Sequence, residues 1–332
     1  MPLKLPLEAL ELKMEKSVSI RRAVESDLCL NAPFIKGQNI PIKNCWHFST
    51  DGNLVDFLFR DDEDFIAGTN RLFILSRKYR VIILAYNLMD THVHIILWGL
   101  LEDCQKFMHE FLRMTSMFIS KKYGDRHKLN KVSPNYQTIT DDKYLKTAIC
   151  YVLKNAPVAG IAFNALEYPW SSGPLYFRRE GYWTFSGWES MLTDSSSLSS
   201  QQICRILKTR YAPSCHFKLI GDMVFPGEFV ATDIVERLFK THKGFHFFLC
   251  ISKESDVESV KGSISRLSIP NTELHQHKNE LCREKFGVDT IRSLSTGQRL
   301  SLAKMLRASY NCSPKQIAKA CGLIFSEVKD ML

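Results

Sequence analysis

The stretch from Val81 to Leu101 restricts the fold more than any other part of this chain, because it is long and apolar enough to span a bilayer yet carries Asn87, Asp90, His92 and His94 near its middle. Each of these polar groups is costly in hydrocarbon. The stretch therefore reads as two strands joined near Asp90-Thr91. Strand side chains alternate, so His92 and His94 share one face while Val93 and the following aliphatics fill the other. Two imidazoles then converge on one point. Neutral imidazole nitrogens are common ligands of divalent metals, and a pair on one rigid strand leaves positions open for water, substrate or a third ligand. Taken alone, an H-x-H triplet is equally compatible with histidines that merely face solvent.

A second segment, Asp141 to Pro157, reads as a helix that Asp141 or Asp142 caps and Pro157 stops. Tyr151 and Asn155 lie four residues apart and hence on one helical face. A phenol and an amide oxygen side by side could supply a nucleophile and a third metal ligand; the alternative is a tyrosine packed on the core with its hydroxyl wet.

Around these segments the pattern is α+β. Cys45 to Thr50 is a strand ending at the Asp51-Gly52-Asn53 turn; its His47 could approach the histidine site from this strand, with packing or DNA contact as the first reading. Asp61 to Tyr79 is a helix whose acidic first turn suits a helix N-terminus. Leu101 to Tyr123 is amphipathic, with Phe107, Phe111, Met114, Phe118 and Ile119 on its buried face. Strand, helix, paired strands, helix, helix describes helices packed on a largely antiparallel sheet.

The net charge of +9 points to a polyanionic partner, nucleic acid before others. Between the histidine strand and the tyrosine helix, Lys121, Lys122, Arg126, Lys128 and Lys131 face one acid, Asp125, and form a candidate phosphate-tracking loop. Ten cysteines without a C-x-x-C pair argue for reduced thiols and a cytoplasmic protein rather than a disulfide framework. Met1 to Val18 mixes lysines and glutamates with leucines, so it lacks the apolar core of a signal peptide.

Five regions follow: a leader over 1–38, a core domain over 39–180, a serine-rich linker over 181–202, a connector over 203–275 containing the strand-like run Phe245 to Ile251, and a helical domain over 276–332. In the last, Ser301 to Tyr310 reads as one helix, Ser313 to Gly322 as a second with proline in its first turn and glycine after its end, and Ser326 to Leu332 as a third. Two short helices about a glycine turn suggest a helix-turn-helix, with Lys315 and Lys329 as candidate DNA contacts. A plain three-helix bundle is the alternative.

Taken together, residues 44 to 172 resemble the HUH single-tyrosine transposases, most closely the REP-associated tyrosine transposases. Leu88-Met89-Asp90-Thr91-His92-Val93-His94 followed by Ile95-Ile96-Leu97 is similar to that family's M-P-N-H-V-H and aliphatics. Tyr151 to Gly160 is similar to its Y-I-x-x-N-P-v-r-A-G, and Glu167 to Ser172 to its E-Y-P-W-S-S. Asp90-Thr91 stands where the family has Pro-Asn, and Ala156 adds a residue before Pro157. The resemblance implies an HUH-endonuclease, ferredoxin-like domain, with Tyr151 as the nucleophile and Mg²⁺ or Mn²⁺ held by His92, His94 and Asn155. It further implies cleavage and rejoining of single-stranded, hairpin-associated DNA through a 5′-phosphotyrosine, in a bacterial, nucleoid-associated protein with no membrane partner. Whether one chain or a homodimer completes such a site stays open. The competing readings are a catalytically inactive, domesticated DNA-binding protein and a metal-dependent nuclease in which water attacks.

Overall fold

The computed structural model describes residues 19–32, 39–50, 57–124, 134–162, 164–178, 191–251, 271–309, 314–329 and 331. Its centre is a four-stranded antiparallel sheet built from β1 (Pro41–Ser49), β2 (Ile82–Leu88), β3 (Val93–Trp98) and β4 (Asn135–Asp141), in the spatial order β2-β3-β1-β4. Helix α1 (Asp62–Lys78) carries the chain from β1 to β2 past β3, and α2 (Leu101–Tyr123) carries it from β3 to β4 past β1. Helix α3 (Asp142–Val158) follows β4 directly, capped by the Asp141 carboxylate, which accepts from the Tyr144 N–H.

Register decides which side chains share a face. Asn87 of β2 and Ser49 of β1 both lie opposite His94 of β3, and His47 lies opposite Ile96. Asn87, His94 and Ser49 thus form one row across three strands, with His47 in the next row on the same face. Helix α3 lies over this face, its Tyr151 ring packing on the rings of His94 and His47.

The outer edge of β2 is covered rather than left open. Leu88 N–H donates to the Trp170 carbonyl, Ser172 N–H to the Tyr86 carbonyl, and Ala231 N–H to the Ile83 carbonyl. The Glu167 to Ser172 segment is therefore an edge cover for the histidine hairpin. Trp170 finishes it by stacking on Phe65, with centroids 4.9 Å apart.

Several elements depart from the sequence reading. Within the expected leader, residues 19–27 are helical and place Val24 and Leu28 in the core, because Asp27 accepts from Trp98 Nε1 and Asn44 Nδ2. The expected linker holds β5 (Leu192–Asp194) and the start of α4 (Ser200–Leu207), whose Ser199 and Gln202 form a reciprocal capping box. Residues 203–251 of the connector are part of the same core. Its β6 (Lys218–Ile220) and β7 (Met223–Val224) complete a three-stranded antiparallel sheet, and buried Asn70 of α1 clasps it through Val224 N–H and the Asp222 carbonyl. Helix α5 (Thr232–Phe239) precedes α6 (His242–Ile251), so Phe245 to Ile251 is helix, not strand. So short an apolar run does not discriminate the two, and Phe245 and Leu249, four apart, are the side chains it buries.

A second core belongs to the C-terminal bundle: α7 (Asn271–Phe286), α8 (Thr296–Ser309), α9 (Pro314–Ala320) and α10 (Phe325–Val328). One of its members comes from outside. Phe57, just ahead of α1, is buried within it beneath the Arg299 guanidinium.

Candidate active site

The hairpin that carries the histidines closes on a loop of two residues, Asp90-Thr91: Leu88 pairs with Val93, and Met89 N–H donates to the His92 carbonyl at 2.8 Å. Loops this short usually rely on left-handed residues, but neither Asp90 nor Thr91 has a positive φ. The loop is held from outside instead. The Asp90 carbonyl accepts from the N–H groups of Leu58 and Phe59, and its carboxylate takes a two-pronged grip from Arg292, at 3.0 Å from Nε and 2.5 Å from Nη2.

His92 therefore sits at the mouth of the hairpin, one residue before β3, rather than within the strand as the sequence suggested. It still converges with His94, the ring centroids being 5.0 Å apart and the planes near perpendicular at 87°. With metal–nitrogen bonds of roughly 2.1 Å, two cis imidazoles on a single ion place their centroids about 5 Å apart. Each ring is held through Nδ1: Thr91 Oγ1 lies 3.0 Å from that atom of His92, and His47 Nε2 lies 3.0 Å from that atom of His94. Ligation by either ring would run through Nε2.

Tyr151 arrives from α3 with its ring 5.5 Å from that of His94 and 5.8 Å from that of His47, edge-on to both. Asn155 lies one turn further on and is half-buried; its Nδ2 donates to the carbonyls of Tyr151 and Val152, at 2.9 and 3.4 Å, on its own helix. Pro157 does not stop α3. It occupies the last turn, and the end is made by Gly160 at φ +66°, with Gly160 N–H donating to the Pro157 carbonyl and Ile161 N–H to that of Ala156.

One member of the site was only a second choice in the sequence and another was not read there at all. His47, assigned first to packing or DNA and second to the histidine site, touches both His94 and Tyr151. Asn87 is fully buried opposite His94; its Nδ2 donates to the Val152 carbonyl at 2.8 Å, and its Oδ1 has no hydrogen-bond partner among the described residues. The one sequence signal for Asn87 is a polar residue inside an apolar strand. Among the described residues, no three or more His, Cys, Asp or Glu side chains are arranged to hold a metal ion. An ion here would rest on two imidazoles and amide oxygens, and the centroid spacing, the Nδ1 anchoring and the orphaned Asn87 oxygen all fit such a set.

The expected DNA contacts separate into groups. Lys122 is engaged by acids: its Nζ lies 2.7 Å from Asp61, 2.9 Å from Asp64 and 3.0 Å from Glu63, binding the end of α2 to the start of α1. Four acids crowd residues 61–64, and Lys122 supplies the charge their packing against α2 requires. Lys121, Lys315 and Lys329 are exposed. Arg126, Lys128 and Lys131 lie outside the described residues. The turn after α9 has Gly322 at φ +62°, and its carbonyl accepts from Arg299 Nη1 at 2.5 Å. The helix that follows is a single turn, Phe325–Val328, shorter than the sequence reading of 326–332.

The nine described cysteines are unbridged, and no described helix is long and apolar enough to cross a membrane. No family model matches this chain, and neither the curated proteins nor the solved structures contain a match to it.

Proposed function

We propose that the chain is an HUH-type tyrosine transposase that cleaves and rejoins single-stranded DNA. The observation that carries the reading is the meeting of His92, His94 and Tyr151, from a hairpin and a helix almost sixty residues apart, within ring distances of 5.0 and 5.5 Å. The strand path β-α-β-β-α-β with order β4-β1-β3-β2 also supports it, being the ferredoxin-like arrangement that the resemblance implies.

A phosphodiester is anionic and unreactive, so the site must neutralise the phosphate and hold a nucleophile in line. Bound Mg²⁺ or Mn²⁺, held by His92, His94 and an amide oxygen of Asn155, would supply Lewis-acid polarisation of a non-bridging oxygen. Tyr151 would attack phosphorus and displace the 3′-oxygen, leaving a 5′-phosphotyrosine that an incoming 3′-hydroxyl reverses. The ester exchange conserves a phosphodiester-level bond and needs no nucleotide cofactor. His47 and Thr91 would orient the two ligand rings. Single-stranded DNA suits this reading, because its backbone bends more freely than that of a duplex.

Incubation with hairpin-bearing single-stranded oligonucleotides and Mn²⁺ tests the proposal. Wild type is expected to form a denaturation-resistant protein–DNA adduct, and Tyr151→Phe to form none while still binding. His92→Ala and His94→Ala should each abolish metal-dependent cleavage. Free 5′-phosphate and 3′-hydroxyl ends with no adduct would make water the nucleophile; binding without cleavage would leave a DNA-binding protein.

A further inference from the structure

Beside the histidine hairpin, with His92 in its lining, a cavity of about 300 Å³ lies between the two cores. The hairpin loop and the end of α3 form one wall; α7, the segment before α8 and α9 form the other. Its charges do not balance. Asp90 is neutralised by Arg292, and Asp289 pairs with Arg283 at 2.8 Å. Lys278 and Lys319 remain.

Lys278 is the informative one, since it is only 5% exposed. Among the described residues its Nζ contacts His275 Nδ1, at 3.1 Å, and no carboxylate pairs with it. A buried ammonium without a counter-charge is strongly unfavourable. Burial lowers its pKa against the weaker opposing pull of groups that include Asp90, and burial together with Lys278, Lys319 and His92 holds the His275 imidazole well below its usual range. The neutral His275 ring that accepts at Nδ1 carries its proton on Nε2, so it adds a second kind of donor to the cavity wall.

We propose that this cavity is a phosphate-binding subsite, with Lys278, Lys319 and His275 as its donors, shared between the histidine hairpin and the C-terminal bundle. A phosphate supplies the missing counter-charge, and the volume leaves room for its ester substituents. The subsite stands whether or not Tyr151 is a nucleophile. Its phosphate could be free or part of a DNA backbone.

Nuclear magnetic resonance of the His275 ring in the full chain tests this, with inorganic phosphate and a short single-stranded oligonucleotide as the two probes. Either probe is expected to shift the His275 signals. Lys319→Gln, on the exposed side of the cavity, should weaken the response at least tenfold, and Lys278→Met should remove it. A response to inorganic phosphate assigns a free-anion site; a response to the oligonucleotide alone assigns a backbone contact, and both support the subsite. No response to either probe, or one that survives both substitutions, overturns it.

Discussion

At the scale of single residues, the hydrogen bond between His47 and His94 sets the chemistry available to the site. His94 can ligate through Nε2 only if its proton sits on Nδ1, and that proton must then be donated to His47 Nε2, 3.0 Å away. His47 becomes the acceptor that fixes tautomer and ring angle, a contact of the kind whose loss weakens metal sites about 10–100-fold. His47→Ala is thus expected to weaken Mn²⁺ binding by about that factor in calorimetric titration, and His47→Gln, which keeps an acceptor, to restore most of it. Equal Mn²⁺ affinity in wild type and His47→Ala would remove the positioning role. The same logic ranks the metals: two imidazole nitrogens favour Mn²⁺ over Mg²⁺. That His94 and Tyr151 face each other follows from strand and helix periodicities, which act locally. His47 was only a second choice and Asn87 was not read at all, because their places depend on how β1 and β2 register against β3, which no local pattern specifies.

At the scale of elements, the three helices packed on the four-stranded sheet were readable to within a residue or two, since amphipathic spacing and caps mark them; α2 spans Leu101–Tyr123 as expected, whereas α8 starts five residues ahead of its reading. Strand β4 was missed. Of its seven residues only Ile139 is buried, so it is a polar edge strand with no alternation to detect. Helix α7 was missed as well, and it supplies the wall of the phosphate cavity. Lys122 shows how a cation in a basic run can be drawn to an acidic run elsewhere in the chain. Burial raises the Asp61 carboxyl, but hydrogen bonds from Lys122, the Asp64 N–H and Tyr123 outweigh it and hold the group below the ordinary carboxylate range; Lys122 does the same for Glu63. Carboxylates with depressed pKa values stabilise the fold above the ordinary value and lose that contribution as pH falls through the folded one. Lys122→Met removes the ammonium 2.9 Å from fully buried Asp64 and leaves it the charge of buried Arg71 and the Arg60 N–H and Tyr123 hydroxyl. It should therefore destabilise the protein by about 2 kcal/mol at neutral pH, allowing for the partial exposure of Lys122. The acid-unfolding midpoint should move upward, and single-stranded DNA affinity should be unchanged. A drop in affinity with unaltered stability would return Lys122 to the DNA-contacting set.

At the scale of the molecule, the two cores are joined at three places that all converge on the histidine hairpin. Phe57 enters the C-terminal core from the chain that also donates to the Asp90 carbonyl. Gly160, at the end of the tyrosine helix, meets α7 so closely that a Cβ would lie 3.0 Å from that of His275. Arg292 grips Asp90 while its guanidinium lies over the Phe65 ring, 4.9 Å from the centroid. The bundle is thus built against the loop that presents His92, and Asp90, in the place of a proline in the resembled family, is the residue that joins them. The pair is mostly buried, so removing either partner leaves the other charge poorly solvated. Asp90→Ala and Arg292→Ala should each lower stability by about 2–3 kcal/mol, with a coupling energy of about 2 kcal/mol in a double-mutant cycle. Hydrogen exchange should report the same event locally: in Arg292→Ala the Met89 amide, which closes the hairpin on the His92 carbonyl, should lose protection before the strand amides do. If the two substitutions are additive and Met89 stays protected, the hairpin holds its own shape and the bundle docks beside the histidines without governing them.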